Sequence, residues 1–219
     1  MITAMSRPEE TERLEDLGRA SIQIVHDLKN QLNGLKLYAT FLRRRIEKSE
    51  RPGDEQETVE KLIKGLDRAA DDLSAIVKYG QPVELKKQAG VEVDKALRAV
   101  CASFDESGAP VTLDEGSDSI KGSFDLFKLS EALKWITAAA LKHRRNDDAG
   151  GKIAISIERL PKQVVIEWNG LSQLDRDPFR SFAGSDEIKL ALAARFIEAH
   201  GGSATLKTSK FVVSLPLDG

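Results

Sequence analysis

A single cysteine, Cys101, in 219 residues leaves no partner for an internal disulfide and fits a reducing compartment. It reads as a small buried residue rather than a reactive thiol. No apolar run approaches the roughly 20 residues that a membrane-spanning helix needs. The N-terminus, Met1-Ile-Thr-Ala-Met-Ser-Arg-Pro-Glu-Glu10, turns acidic where a secretory signal would be apolar. A cytoplasmic location without membrane attachment is therefore expected. The chain also lacks an excess of either charge: 31% of residues are charged, yet the formal net charge is -2, which gives no electrostatic footprint for nucleic acid. The length suits two modest domains.

What the chain does have is a strongly patterned N-terminal third. Apolar residues at Leu14, Leu17, Val25, Leu28, Leu32, Leu35, Leu42 and Ile46 recur in steps of three and four, the signature of a long amphipathic helix. His26, Lys29, Asn30 and Asn33 fall off that seam. A neutral imidazole is a nucleophile near neutral pH, and a neighbouring carboxylate can accept its other ring proton, fixing the tautomer. Asp27 is placed to do so. After Ser49-Glu-Arg-Pro-Gly-Asp54, a break marked by proline and glycine, a second seam runs through Val59, Leu62, Ile63, Leu66, Ala69, Ala70, Leu73, Ile76 and Val77. Two helices cannot close a core around both seams, so pairing with a second copy into a four-helix bundle is the economical solution, and a homodimer is expected.

The stretch His26-Asp27-Leu28-Lys29-Asn30 resembles the H-box of bacterial sensor histidine kinases. The resemblance implies that His26 accepts the phosphoryl group, that Asp27 is its activating base, and that Asn30 positions water for dephosphorylation. The family commonly has proline after the last of these positions; here it is Gln31, which predicts a straighter helix.

Tyr79-Gly-Gln-Pro82 ends the second helix, giving a hairpin over 1–80 and a linker over 81–90. From 91 to 219 the pattern mixes helices and strands. Helices are expected over Asp94 to Phe104, Asp125 to His143 and Glu187 to Ala199. Strands are expected at Val111 to Leu113, Ile120 to Phe124, Lys152 to Arg159, Gln163 to Trp168, Ala204 to Leu206 and Lys210 to Leu215. The fold class is α+β: a helical hairpin followed by an α/β sandwich with helices on one face of a mixed sheet. The order resembles the ATPase domain of histidine kinases, anchored by Phe196-Ile-Glu-Ala-His-Gly-Gly202 and Phe211-Val-Val-Ser-Leu-Pro216.

The positions that hold nucleotide in that family are mostly replaced. Trp135 and Ala139 stand where it carries asparagines, one of them a magnesium ligand, and neither is a hard oxygen donor. Trp168 stands at the aspartate that would bind the adenine amino group. Glu187-Ile-Lys189 stands where glycines would let backbone approach phosphate. An intact phosphoacceptor helix beside an eroded ATP site resembles the dimeric histidine phosphotransferases that descend from kinases. It implies transfer between His26 and aspartates of receiver domains, in a response regulator or hybrid kinase, with no nucleotide cofactor and no metal. A histidine kinase or kinase-derived phosphatase with a divergent ATP site is the alternative, and a non-catalytic receiver-binding scaffold the second.

Overall fold

The computed structural model describes residues 7–47, 53–106, 108–109, 111–114, 119–145, 151–181 and 185–217; the side chains of 7–20, 23, 24, 26, 53, 54 and 185 lie outside that description. The chain divides into two compact units, residues 1–82 and 83–219.

In the first unit, α1 (Arg7–Glu47) packs along α2 (Gly53–Gly80). The expected break between them falls largely on residues 48–52, outside the described residues. With Gln31 rather than proline in place, α1 is unbroken at that point, as an intact backbone hydrogen-bond ladder allows. The single seam read from sequence resolves into two stripes. Ala39 and Ile46 are buried and Val25 and Leu32 half-buried, on the side that meets α2. Leu28, Leu35 and Leu42 remain 44%, 54% and 47% exposed. Both sets repeat every seven residues, a step that nearly completes two turns, and they lie about 60° apart around the helix. On α2, Val59 and Ala75 are buried, whereas Leu62 is exposed. A Lys36–Asp67 ion pair of 2.5 Å crosses between the helices.

The second unit starts with β1 (Gln88–Glu92), which pairs antiparallel with β3 (Lys121–Phe124) in a two-stranded sheet. Residues 88–90, which the sequence reading leaves in the linker, therefore belong to a strand. A five-stranded sheet has the order β2-β4-β5-β7-β6, from Val111–Asp114, Ile153–Leu160, Gln163–Asn169, Lys210–Pro216 and Ser203–Lys207. Among the described residues, β2/β4 is the one parallel pair of this sheet. Along β5, Val164, Ile166 and Trp168 are buried while Val165 and Glu167 are half-exposed, the alternation of a strand with one covered face. The covering layer is α3 (Val93–Asp105), α4 (Leu126–Lys142) and α5 (Ser185–Ala199).

Helix ends follow from their residues. The Asp125 carboxylate caps α4 by accepting from the Lys128 amide. Gly201, at φ +84, closes α5, with its own amide on the Glu198 carbonyl and that of Gly202 on Ile197, the paired bonds of a left-handed helix stop. Cys101 is buried and burial pushes its thiol up to about 11, so it is a packing residue.

Candidate functional site

His26, Asp27 and Asn30 all lie on α1. Positions 26 and 30 are one turn apart and share a face, with 27 about 100° away. Asp27 and Asn30 are exposed and Lys29 is half-buried. The His26 side chain is outside the described residues. Continuing down α1 from Asn30, Leu37 and Phe41 follow at steps of seven and four, and they are 56% and 57% exposed. An exposed apolar strip thus leads away from the His26–Asn30 stretch along the same side of the helix.

The chain has two other histidines. His200 is buried, and both ring nitrogens are engaged: Nε2 accepts from the Asp125 amide at 3.0 Å, and Nδ1 lies 2.6 Å from the Phe196 carbonyl. That pairing assigns the proton to Nδ1 and leaves no free nucleophilic nitrogen. His143 is half-buried at the end of α4, and burial, followed by the Lys142 charge, lowers its pKa.

In the second unit, Trp168, which the sequence resemblance sets at an adenine-binding carboxylate, belongs to the core. The Trp168 ring is fully buried, and its Nε1 donates to the Thr137 hydroxyl of α4 at 2.9 Å. Thr137 donates in turn to the Leu133 carbonyl at 2.8 Å. The indole thus fills the space between sheet and helix with its one polar atom satisfied. Trp135 stacks on Phe196, ring centroids 5.9 Å apart, and Ala139 is buried. Glu187 accepts from the Ser181 hydroxyl, and Lys142 makes a 2.6 Å ion pair with Asp186, whose carboxyl that hydrogen bond holds below its ordinary range. Phe179, on a short 3-10 turn at Pro178–Arg180, packs edge-on against Phe211 at 5.1 Å. Gly170 has φ +98, and a Cβ there would sit 2.6 Å from the Lys152 carbonyl, so this glycine serves a close approach of two chain segments. Among the described residues, no three His, Cys, Asp or Glu side chains cluster as a metal site.

Solved structures match this arrangement at low sequence identity. Full-length ShkA in complex with AMPPNP superposes with a TM-score of 0.69 at 18% identity, over 90% of this chain and 45% of that one. The fold is that of a histidine kinase core. The Acinetobacter baumannii histidine kinase AdeS gives a TM-score of 0.59 at 16% identity, over 89% of this chain and 98% of its own. The ATP binding domain of PrrB from Mycobacterium tuberculosis gives 0.50 at 21%, over 61% of this chain and 98% of its own. This chain spans under half the length of ShkA. No protein-family profile and no curated protein sequence matches it. The histidine-kinase-like fold accounts for both the helices before the α/β unit and the mixed sheet within it. Among the described residues, no helix is long and apolar enough to cross a membrane.

In the sequence, His200 stands out only as part of a helix-ending motif. Its bonds to Asp125 and Phe196 join segments 75 residues and four residues away, and only the second separation has a sequence signal, the turn of a helix.

Proposed function

We propose that this protein is a cytoplasmic histidine phosphotransferase that moves a phosphoryl group between His26 and receiver aspartates without consuming ATP. The observation that carries the reading is the pairing of an intact His26-Asp27-Leu28-Lys29-Asn30 helix with a core tryptophan, Trp168, at the position of the adenine-binding carboxylate. His26 is the phosphoacceptor, Asp27 the base, and Asn30 the residue that positions water where a receiver is dephosphorylated. The receiver sits against α1, with Leu37 and Phe41 as its apolar contacts below the histidine. No nucleotide or metal is assigned to the α/β unit.

Titration of the full chain with magnesium-ATP in a calorimeter is expected to give no binding heat at millimolar nucleotide, and incubation with labelled ATP no phosphohistidine. Saturable binding together with label on His26 would put the kinase reading first instead.

The protein acts as a homodimer in this reading, because Leu28, Leu35, Leu42 and Leu62 are exposed in one chain and a second hairpin would cover them as a four-helix bundle. Leu35→Asp would place an unpaired charge in that buried seam and is expected to yield monomer, or to unfold the hairpin, by sedimentation at micromolar concentration. Wild-type protein sedimenting as a monomer there would contradict the assembly.

A further inference from the structure

Three segments of the second unit meet at Asp125. Its Oδ2 accepts from the Lys86 amide at 2.9 Å, tying the chain just after residue 83 to the start of α4. Its Oδ1 accepts from the Lys128 amide at 3.1 Å, and the Lys128 ammonium lies 3.6 Å from Oδ2. Its own amide donates to His200 Nε2, so the end of α5 completes the junction. Asp125 and His200 are 5% and 2% exposed, and the Phe124 ring lies beside the imidazole with centroids 5.7 Å apart.

We propose that the His200–Asp125 pair is a proton-operated catch on residues 83–88, the segment by which the chain enters the α/β unit: closed while the imidazole is neutral, released when it is protonated. Proton uptake at Nε2 would place an N–H against the Asp125 N–H, two donors at 3.0 Å where a donor and an acceptor now meet. It also creates a buried cation, and the anion that acts on the ring is the Asp125 carboxylate. For that carboxylate to turn to the imidazolium, it must give up the amides of Lys86 and Lys128. A cavity of about 640 Å³ beside the tether, lined by Lys86, Gln88, Leu126 and Phe127 among others, gives the freed segment room to move.

The groups that face His200 set the direction. Burial lowers its pKa from the ordinary 6.5, the bond to the Phe196 carbonyl raises it, Lys87 and Lys128 lower it further, and Asp125 raises it, with a net fall. Burial pushes the Asp125 carboxyl up, but the bonds from the Lys86 and Lys128 amides outweigh it, leaving a net lowering. Asp125 therefore stays anionic at pH 5 and above. With the closed-state pKa of His200 below the open-state value near 6.5, the closed form is fully favoured above pH 6.5 and loses ground as the pH falls below it. Opening grows by up to about tenfold per pH unit down to the lowered pKa.

The test is NMR on the full chain between pH 7.5 and 5, following the His200 ring nitrogens together with exchange at the Lys86 amide, corrected for intrinsic rate. The expected result is an Nδ1-protonated neutral ring at pH 7.5, a midpoint below 6.5, and Lys86 protection lost in step with ring protonation. In His200→Gln, whose amide oxygen accepts without titrating, the protection should no longer fall with pH. Lys86 protection that stays constant through the His200 titration, or a ring that takes no proton before global unfolding, would overturn the catch. These wild-type readouts decide the question even where the variant does not fold, and none of them depends on phosphotransfer.

Discussion

His26→Ala is expected to abolish phosphoryl exchange with a phosphorylated receiver from the same genome while leaving fold and assembly intact, since position 26 falls on neither heptad stripe of α1. His200, buried with both nitrogens bonded, offers no substitute nucleophile, which leaves the half-buried His143 as the source of any residual label. Asp27→Asn should slow exchange by about two to four powers of ten, the usual worth of general-base assistance, since an amide cannot accept the ring proton. Asn30→Ala should spare exchange and lower only receiver dephosphorylation. Radiolabel transfer followed by gel separates these outcomes. Label on His26→Ala at the wild-type rate would end the phosphotransferase reading and direct attention to His143.

The second large effect concerns Trp168. Replacement by aspartate, the residue that binds adenine in the resembled family, is expected to unfold the α/β unit rather than to restore a nucleotide site. Removing a buried aromatic ring costs about 3–5 kcal/mol, and the new carboxylate would be buried, with Ile155 and Phe211 as its cross-strand neighbours and the Thr137 hydroxyl beside it. A domain of ordinary stability has only about 5–15 kcal/mol in total. Trp168→Phe keeps most of the volume and loses one hydrogen bond, so a change of only about 0.5–1.5 kcal/mol from that bond is expected in urea titration. A folded Trp168→Asp protein that binds ATP would show that the site is dormant rather than filled.

Most of the fold was legible because its signals are local. The β4/β5 hairpin announced itself by two alternating runs around Leu160-Pro161-Lys162, and the end of α5 by Gly201-Gly202. β1 was missed because Gln88-Ala-Gly-Val-Glu92 has no period-two pattern: only Val91 is buried, and the pairing with β3 is irregular between Gln88 and Val91. The candidate site at His26, Asp27 and Asn30 rests on five adjacent residues, a signal that is local to one stretch of α1. The Trp168–Thr137 bond was not, since it joins residues 31 apart on a strand and a helix whose registers the sequence does not state. The same holds for Asp125, legible as a helix cap but not as the partner of Lys86 and His200. Nor could periodicity alone divide one apolar seam into an inner stripe at Val25, Leu32, Ala39 and Ile46 and an outer one at Leu28, Leu35 and Leu42, because both obey the same spacing.

The two stripes of α1 also constrain how the helix can change length during evolution. Adding or removing seven residues between Val25 and Ile46 rotates everything downstream by only about 20°, which preserves both stripes. A one-residue insertion rotates it by about 100°, carrying Leu35 and Leu42 away from the outer face and Ile46 away from α2. Viable relatives of this hairpin should therefore differ in α1 length by whole heptads.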